Sequence, residues 1–108
     1  MQDENRWQLE ILENVVNDIE RLPIGIKASM YHIMELLEKY GNQMKEPHTK
    51  SLSDDLFEIR AKGKEGIARA FFTFRKNKVI IVFHCFIKKD NKTPKREVDK
   101  AREILKNL

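Results

Sequence analysis

Between residues 55 and 88 the chain carries three strand-like runs, 55–62, 66–74 and 78–88, joined by turns of only a few residues. Gly63 and Gly66 punctuate the first turn, and Lys76-Asn77 marks the second. Connections this short join antiparallel neighbours, since a parallel pair needs a long crossover. The third run, Val-Ile-Ile-Val-Phe-His-Cys-Phe-Ile, is apolar on both faces, which places it in the interior of a sheet.

The flanking segments must cover that sheet. Residues 6–11 alternate apolar and polar side chains and predict a short strand. Leu12, Val15, Val16 and Ile19 then recur at helical spacing, giving a helix over about 12–21 that stops before Pro23. A second helix follows, with Ile26, Met30, Ile33, Met34 and Leu37 on one stripe and Gly41 as its stop. The methionines there are core filler. Residues 42–54 are polar, contain Pro47 and read as a connecting loop. Thr93 as N-cap and Pro94 at the first helical position open a last helix, whose apolar stripe is Val98, Ala101, Leu105 and Leu108. The order β-α-α-β-β-β-α describes an α+β domain over residues 1–108. Its antiparallel sheet has about four strands, with two helices on one face and the C-terminal helix on an edge or the other face.

A length of 108 residues is that of one domain with one modest core. No run approaches the ~20 apolar residues of a membrane span, and the polar start Met1-Gln2-Asp3-Glu4-Asn5 lacks the apolar region of a secretory signal. The single cysteine, Cys85, excludes an internal disulfide framework and fits a reducing cytoplasm. The net charge of +4 is unevenly placed: residues 1–40 carry −4, and residues 41–108 carry +8. The basic part is a candidate surface for a polyanion, or alternatively a solvated charged face.

A register can be written from the turns. If Lys62 faces Ile67, then Arg60 lies opposite Arg69; if Arg75 faces Lys78, then Arg69 lies opposite His84. Side chains alternate along a strand, so Lys88 shares the face of His84. Arg60, Arg69 and His84 then form one row across three strands. Like charges directly opposite repel by roughly 0.2–1 kcal/mol per pair, and an anion over the row, such as a phosphate, would offset this. The alternative is that both arginines pair with Glu58, Glu65 or another acid, and that His84 is an ordinary half-buried histidine. The basic stretch Lys88 to Arg96 either adds a grip on a nucleic-acid backbone or is a solvated lead-in to the last helix.

Leu52, the run Leu56-Phe57-Glu58-Ile59-Arg60, Gly66 and Arg69 ahead of Phe71-Phe72, the run from Phe83 and His84 through Cys85, Phe86 and Ile87 to Lys88-Lys89, then Lys92-Thr93-Pro94 and Ala101 resemble the phage-derived, HigB-like branch of the RelE/ParE toxin superfamily. The resemblance covers nearly the whole chain, and its specific part is residues 52–101. It implies a RelE-like fold and a type II toxin that cleaves mRNA on the ribosome, inhibits translation, needs no metal or other cofactor, and is neutralised by a cognate antitoxin, commonly of the helix-turn-helix type. It also implies a basic role for Arg60, Arg69, Lys88, Lys89 and Lys92. The chain departs from the pattern at Cys85, where a small glycine is frequent, at Asp90-Asn91, where Thr-Gln is usual, and in having no tyrosine after Tyr40.

Metal-free RNA cleavage uses the ribose 2′-OH as nucleophile, and it needs a base, an acid and cations around the phosphorane. Arg69 is the expected phosphorane stabiliser and Arg60 a second phosphate ligand. Lys88, Lys89 or His84 would supply the acid and base. Lys50, Lys92, Lys95 and Arg96 are expected along the RNA backbone, and Phe72 or Phe71 under a base. His32, His48 and His84 have no metal-ligand spacing, and Cys85 in an apolar strand is a packing residue. The rival readings are a ParE-like inhibitor of DNA gyrase and a non-catalytic nucleic-acid-binding domain of the same fold.

Overall fold

The computed structural model describes residues 5–88 and 92–108, and for Lys88 the backbone alone. The elements are β1 (Gln8–Ile11), α1 (Glu13–Glu20), α2 (Ile24–Tyr40), β2 (Thr49–Ser51), β3 (Phe57–Gly63), β4 (Gly66–Arg75), β5 (Val79–Lys88) and α3 (Lys95–Lys106). The architecture is α+β, as the pattern predicts. The sheet, however, has five strands in the order β1-β5-β4-β3-β2 and is mixed. β1 runs parallel to β5; the α1–α2 hairpin returns the chain past the sheet before the meander begins. β2 lies within the stretch expected to be loop and pairs antiparallel with β3.

Alternation along the strands divides the core in two. Ile59, Ala61, Ala68, Ala70, Phe72, Ile80, Val82 and Cys85 point toward α1 and α2, where they meet Val15, Ile19, Ile26, Met30, Ile33, Met34 and Leu37. On the other face Phe71 and Phe83 pack with Leu56 and with Ala101 of α3. Small alanines on β3 and β4 let α2 sit close to the sheet. Each buried phenylalanine contributes about 1.5–3 kcal/mol by leaving water. The expected stripe of α3 holds at Val98, Ala101 and Leu105, whereas Leu108 lies past the helix end and is exposed.

The first hairpin has the predicted register, with Lys62 opposite Ile67 and Arg60 opposite Arg69. The second does not. Its loop has three residues rather than two, with Asn77 and Lys78 both at positive φ, so Arg75 faces Val79. A bulge beside Phe71 and Phe72 then shifts the ladder again. Phe83 is the extra residue: Phe72 pairs with Val82 and Phe71 with His84, leaving Phe83 and His84 both on the α3 side. Arg69 therefore lies opposite Phe86, not His84. Thr93 is also not the N-cap of α3; Pro94 is, because the Thr93 hydroxyl is engaged across the sheet by Glu58.

α2 ends at Gly41, whose φ of +52° puts it in the left-handed region. A Cβ there would stand 2.0 Å from the Trp7 ring, and that indole packs edge-on against Phe74. Gly41→Ala combines a strained backbone with a clash against a fixed ring. Urea unfolding is expected to show a loss of at least roughly 2 kcal/mol.

Candidate nucleic-acid interface on the sheet

The α3-side face of β3, β4 and β5 presents two adjacent rows. Glu58, Phe71 and His84 form one; Arg60, Arg69 and Phe86 form the next. The strand pleat thus brings the predicted Arg60 and Arg69 together, with His84 one row away.

The centre of the face is Glu58. Its carboxylate is fully buried and lies between the two guanidiniums, with Arg60 Nε donating to Oε1 at 2.8 Å and Arg69 Nη1 at 3.2 Å. Thr93 Oγ1 donates to Oε2. The repulsion between the facing arginines is therefore offset from within, and Glu58 occupies the place that the charge argument gives to a bound anion. The three groups together keep one positive charge. The alternative in which both arginines pair with Glu58 is therefore the one the structure shows. Its signal in the sequence is an acid two positions before Arg60 on the same strand face.

The two arginines differ in access. The Arg69 side chain is 1% exposed and that of Arg60 26% exposed. Glu58 engages Arg60 at Nε, and the Arg60 side chain keeps part of its surface exposed. His84 is nearly covered. Its Nε2 lies 3.0 Å from Glu97 Oε2 at the start of α3, and its ring stacks on Phe71 and tilts against Phe86. α3 is held over this face by these contacts and by Arg102, which donates to the carbonyl of Leu52 at 2.8 Å.

The remaining expected residues fall as follows. Lys88 pairs through its backbone with Ile67 at the end of β5. Lys89 lies outside the described residues. Lys92, Lys95 and Arg96 are exposed at the entry to α3, and Lys95 reaches Asp99 at 2.9 Å. Lys50 is exposed on β2 opposite Glu58. Phe72 is a correction: it is 1% exposed and faces α1 and α2, so it cannot lie under a base. Phe71 has the right face but is fully buried. The partly exposed aromatic on this face is Phe86, beside Arg69.

Cys85 points to the helix side, and burial together with the nearby Asp18 carboxylate pushes its thiol up to about 12. It stays a neutral thiol near pH 7, which removes it as a nucleophile. Among the described residues no group of three or more His, Cys, Asp and Glu is placed to hold a metal ion. No helix among them is long and apolar enough to cross a membrane.

A family model described as phage derived protein Gp49-like (DUF891) matches residues 17–106. No curated protein matches the chain. Among solved structures, the chain is similar to the archaeal RelE–RelB complex from Pyrococcus horikoshii OT3, with a TM-score of 0.58, 21% identity, and coverage of 81% of this chain and 99% of that one. It is also similar to an arginine-to-alanine double mutant of E. coli toxin RelE in the free state, with a TM-score of 0.57, 12% identity, and coverage of 74% and 81%. At these identities the likeness is one of fold, and the fold is RelE-like.

Proposed function

The chain belongs to the phage-derived Gp49-like family, and from that premise we propose that it is the toxin of a type II toxin–antitoxin pair, of the HigB-like branch, acting as a ribosome-dependent mRNA endoribonuclease. The observation that carries the reading is the charged cluster on the α3 side of the sheet, where a partly exposed Arg60, held at its Nε, stands beside a buried Glu58–Arg69 pair. A guanidinium held at its Nε has its remaining donors fixed in direction, which suits two oxygens of one phosphate.

In this reading Arg60 touches the scissile phosphate and stabilises the phosphorane. Arg69 holds Glu58, and through it the direction of the Arg60 fork; it meets the phosphate itself only if the cover formed at Thr93 opens. His84 is oriented by Glu97 through Nε2, so a proton exchanged with RNA passes through Nδ1; Lys88 and Lys89 are the other acid–base candidates. Lys50, Lys92, Lys95 and Arg96 line the RNA backbone, and Phe86 takes the stacking role expected of Phe72. The partner that neutralises the protein is an antitoxin, proposed to be of the helix-turn-helix type.

The test is an in vitro translation reaction with purified protein, with the 5′ ends of the mRNA mapped by primer extension in the presence and absence of ribosomes. New codon-phased ends that need ribosomes are expected. Intact mRNA with normal translation would remove the enzyme reading and move the search to gyrase or to simple nucleic-acid binding.

A further inference from the structure

The opposite end of the sheet carries a second assembly of groups with no part in the cluster around Glu58. The start of β1, the end of α2, the turn after it and the β4–β5 loop converge on a cleft of about 420 Å³, walled by Trp7, Lys39, Tyr40, Asn42, Gln43 and Lys78. The walls are fixed by backbone hydrogen bonds, from Trp7 N to the Glu38 carbonyl and from Gln8 N to the Lys78 carbonyl, both 2.8 Å. Trp7 is wedged between Gly41 and Phe74 and forms the rigid back. Tyr40 is 51% exposed.

Among the described residues, four cations lie around this cleft. Lys39, Arg75, Lys76 and Lys78 are all exposed, and none is ion-paired with a described carboxylate. The neighbouring acid, Glu38, is engaged by Arg6 at 4.0 Å. A cluster of like charges raises its own potential and concentrates anions. The cations alone would suit an acidic protein as well as a nucleic acid. The exposed Tyr40 ring and the two side-chain amides decide between them: a ring gives a platform for an unpaired base, and Asn42 and Gln43 carry the donor and acceptor pairs that match a base edge. Arg69 lies opposite Phe86, seven residues along β5 from Val79, which puts the two surfaces about 23 Å apart at the rise of a strand.

We propose that this cleft is a second single-stranded RNA site, with an unpaired base on Tyr40 and the flanking phosphates on Lys39, Lys78 and the Arg75-Lys76 turn. The choice of RNA over single-stranded DNA rests on the reading given under Proposed function; the site itself rests on the cleft.

The test is fluorescence anisotropy of a labelled twelve-nucleotide single-stranded RNA with the full chain, in the absence of ribosomes and over a range of salt. Lys39→Gln/Lys76→Gln is expected to reduce the salt slope by about 1.4, from two lost phosphate contacts on a single strand. Tyr40→Ala is expected to weaken single-strand binding roughly fivefold or more, the loss of one stacked base, and to leave binding of an RNA duplex unchanged. All three positions are exposed, and a wild-type melting temperature for each variant separates lost binding from lost fold. Variants that bind as wild type does, a wild-type protein that does not bind the RNA, or a Tyr40→Ala loss equal for duplex and single strand would each overturn the site. So would variants that keep RNA binding but lose a co-expressed antitoxin, which would make the cleft a protein interface. Intact mRNA in the translation reaction, with single-strand binding still dependent on Tyr40, would overturn the cleavage reading and leave this site standing.

Discussion

Glu58→Gln is expected to lower the stability of the fold by roughly 3–5 kcal/mol, measured as a fall in the urea midpoint at unchanged slope. The carboxylate is fully buried, and the Arg69 guanidinium beside it is 1% exposed. Removing the carboxylate takes from the buried Arg69 guanidinium the countercharge it hydrogen-bonds at 3.2 Å, and the lost ion pairing is the main cost. A glutamine keeps the shape and one acceptor for the Thr93 hydroxyl, so the loss is electrostatic rather than steric. Against a typical total of about 5–15 kcal/mol, the variant would sit near the limit of folding. Replacing both partners, as Glu58→Leu/Arg69→Leu, is expected to recover much of the loss, because the buried charge is removed together with its countercharge. A Glu58→Gln protein within about 1 kcal/mol of wild type would mean that water reaches Arg69 and that the pair is not a dry one.

How far the site was legible follows from where the sequence constrains register. Gly63 and Gly66 bracket the first turn, and a four-residue turn over 63–66, taken as a condition, places Arg60 opposite Arg69 as observed. β5 gave no such control. Its residues are apolar on both faces, so the alternation that would expose a slip is missing. The extra residue Phe83 and the third loop residue both passed unseen and moved His84 one row. Phe71 and Phe72 are adjacent and point to opposite faces; alternation from Arg69 along β4 already places Phe71 on the arginine face and Phe72 on the other, so the stacking role given to Phe72 went against the strand's own period. Thr93-Pro94 has the local form of a helix start, but the threonine hydroxyl is taken by Glu58, 35 residues earlier in the chain, a tertiary contact that local capping rules cannot contain. β2 is only three residues of polar sequence, paired because β3 offers an edge and not because of its own pattern. The parallel pairing of β1 is likewise set by where the α1–α2 hairpin leaves the chain.

Arg60→Ala is expected to reduce ribosome-dependent mRNA cleavage by ~10²-fold or more, the scale of losing one preorganised donor to developing charge. It is the sharper probe because its side chain is 26% exposed while that of Arg69 is 1% exposed. Its removal leaves the buried Glu58–Arg69 pair in place, so the urea midpoint should move little. Arg60→Lys keeps the charge but loses the fork, and its rate should fall between the two, since an ammonium cannot hold two phosphate oxygens in fixed directions. Arg69→Ala is expected to lose cleavage together with stability, because it strips Glu58 of its buried partner. An Arg60→Ala protein that unfolds at the wild-type urea concentration and still cleaves at the wild-type rate would take Arg60 out of the reaction. If Arg69→Ala then abolished cleavage without loss of stability, the phosphate would have to reach Arg69 directly, and Thr93 and the start of α3 would have to move off Glu58 before RNA could bind.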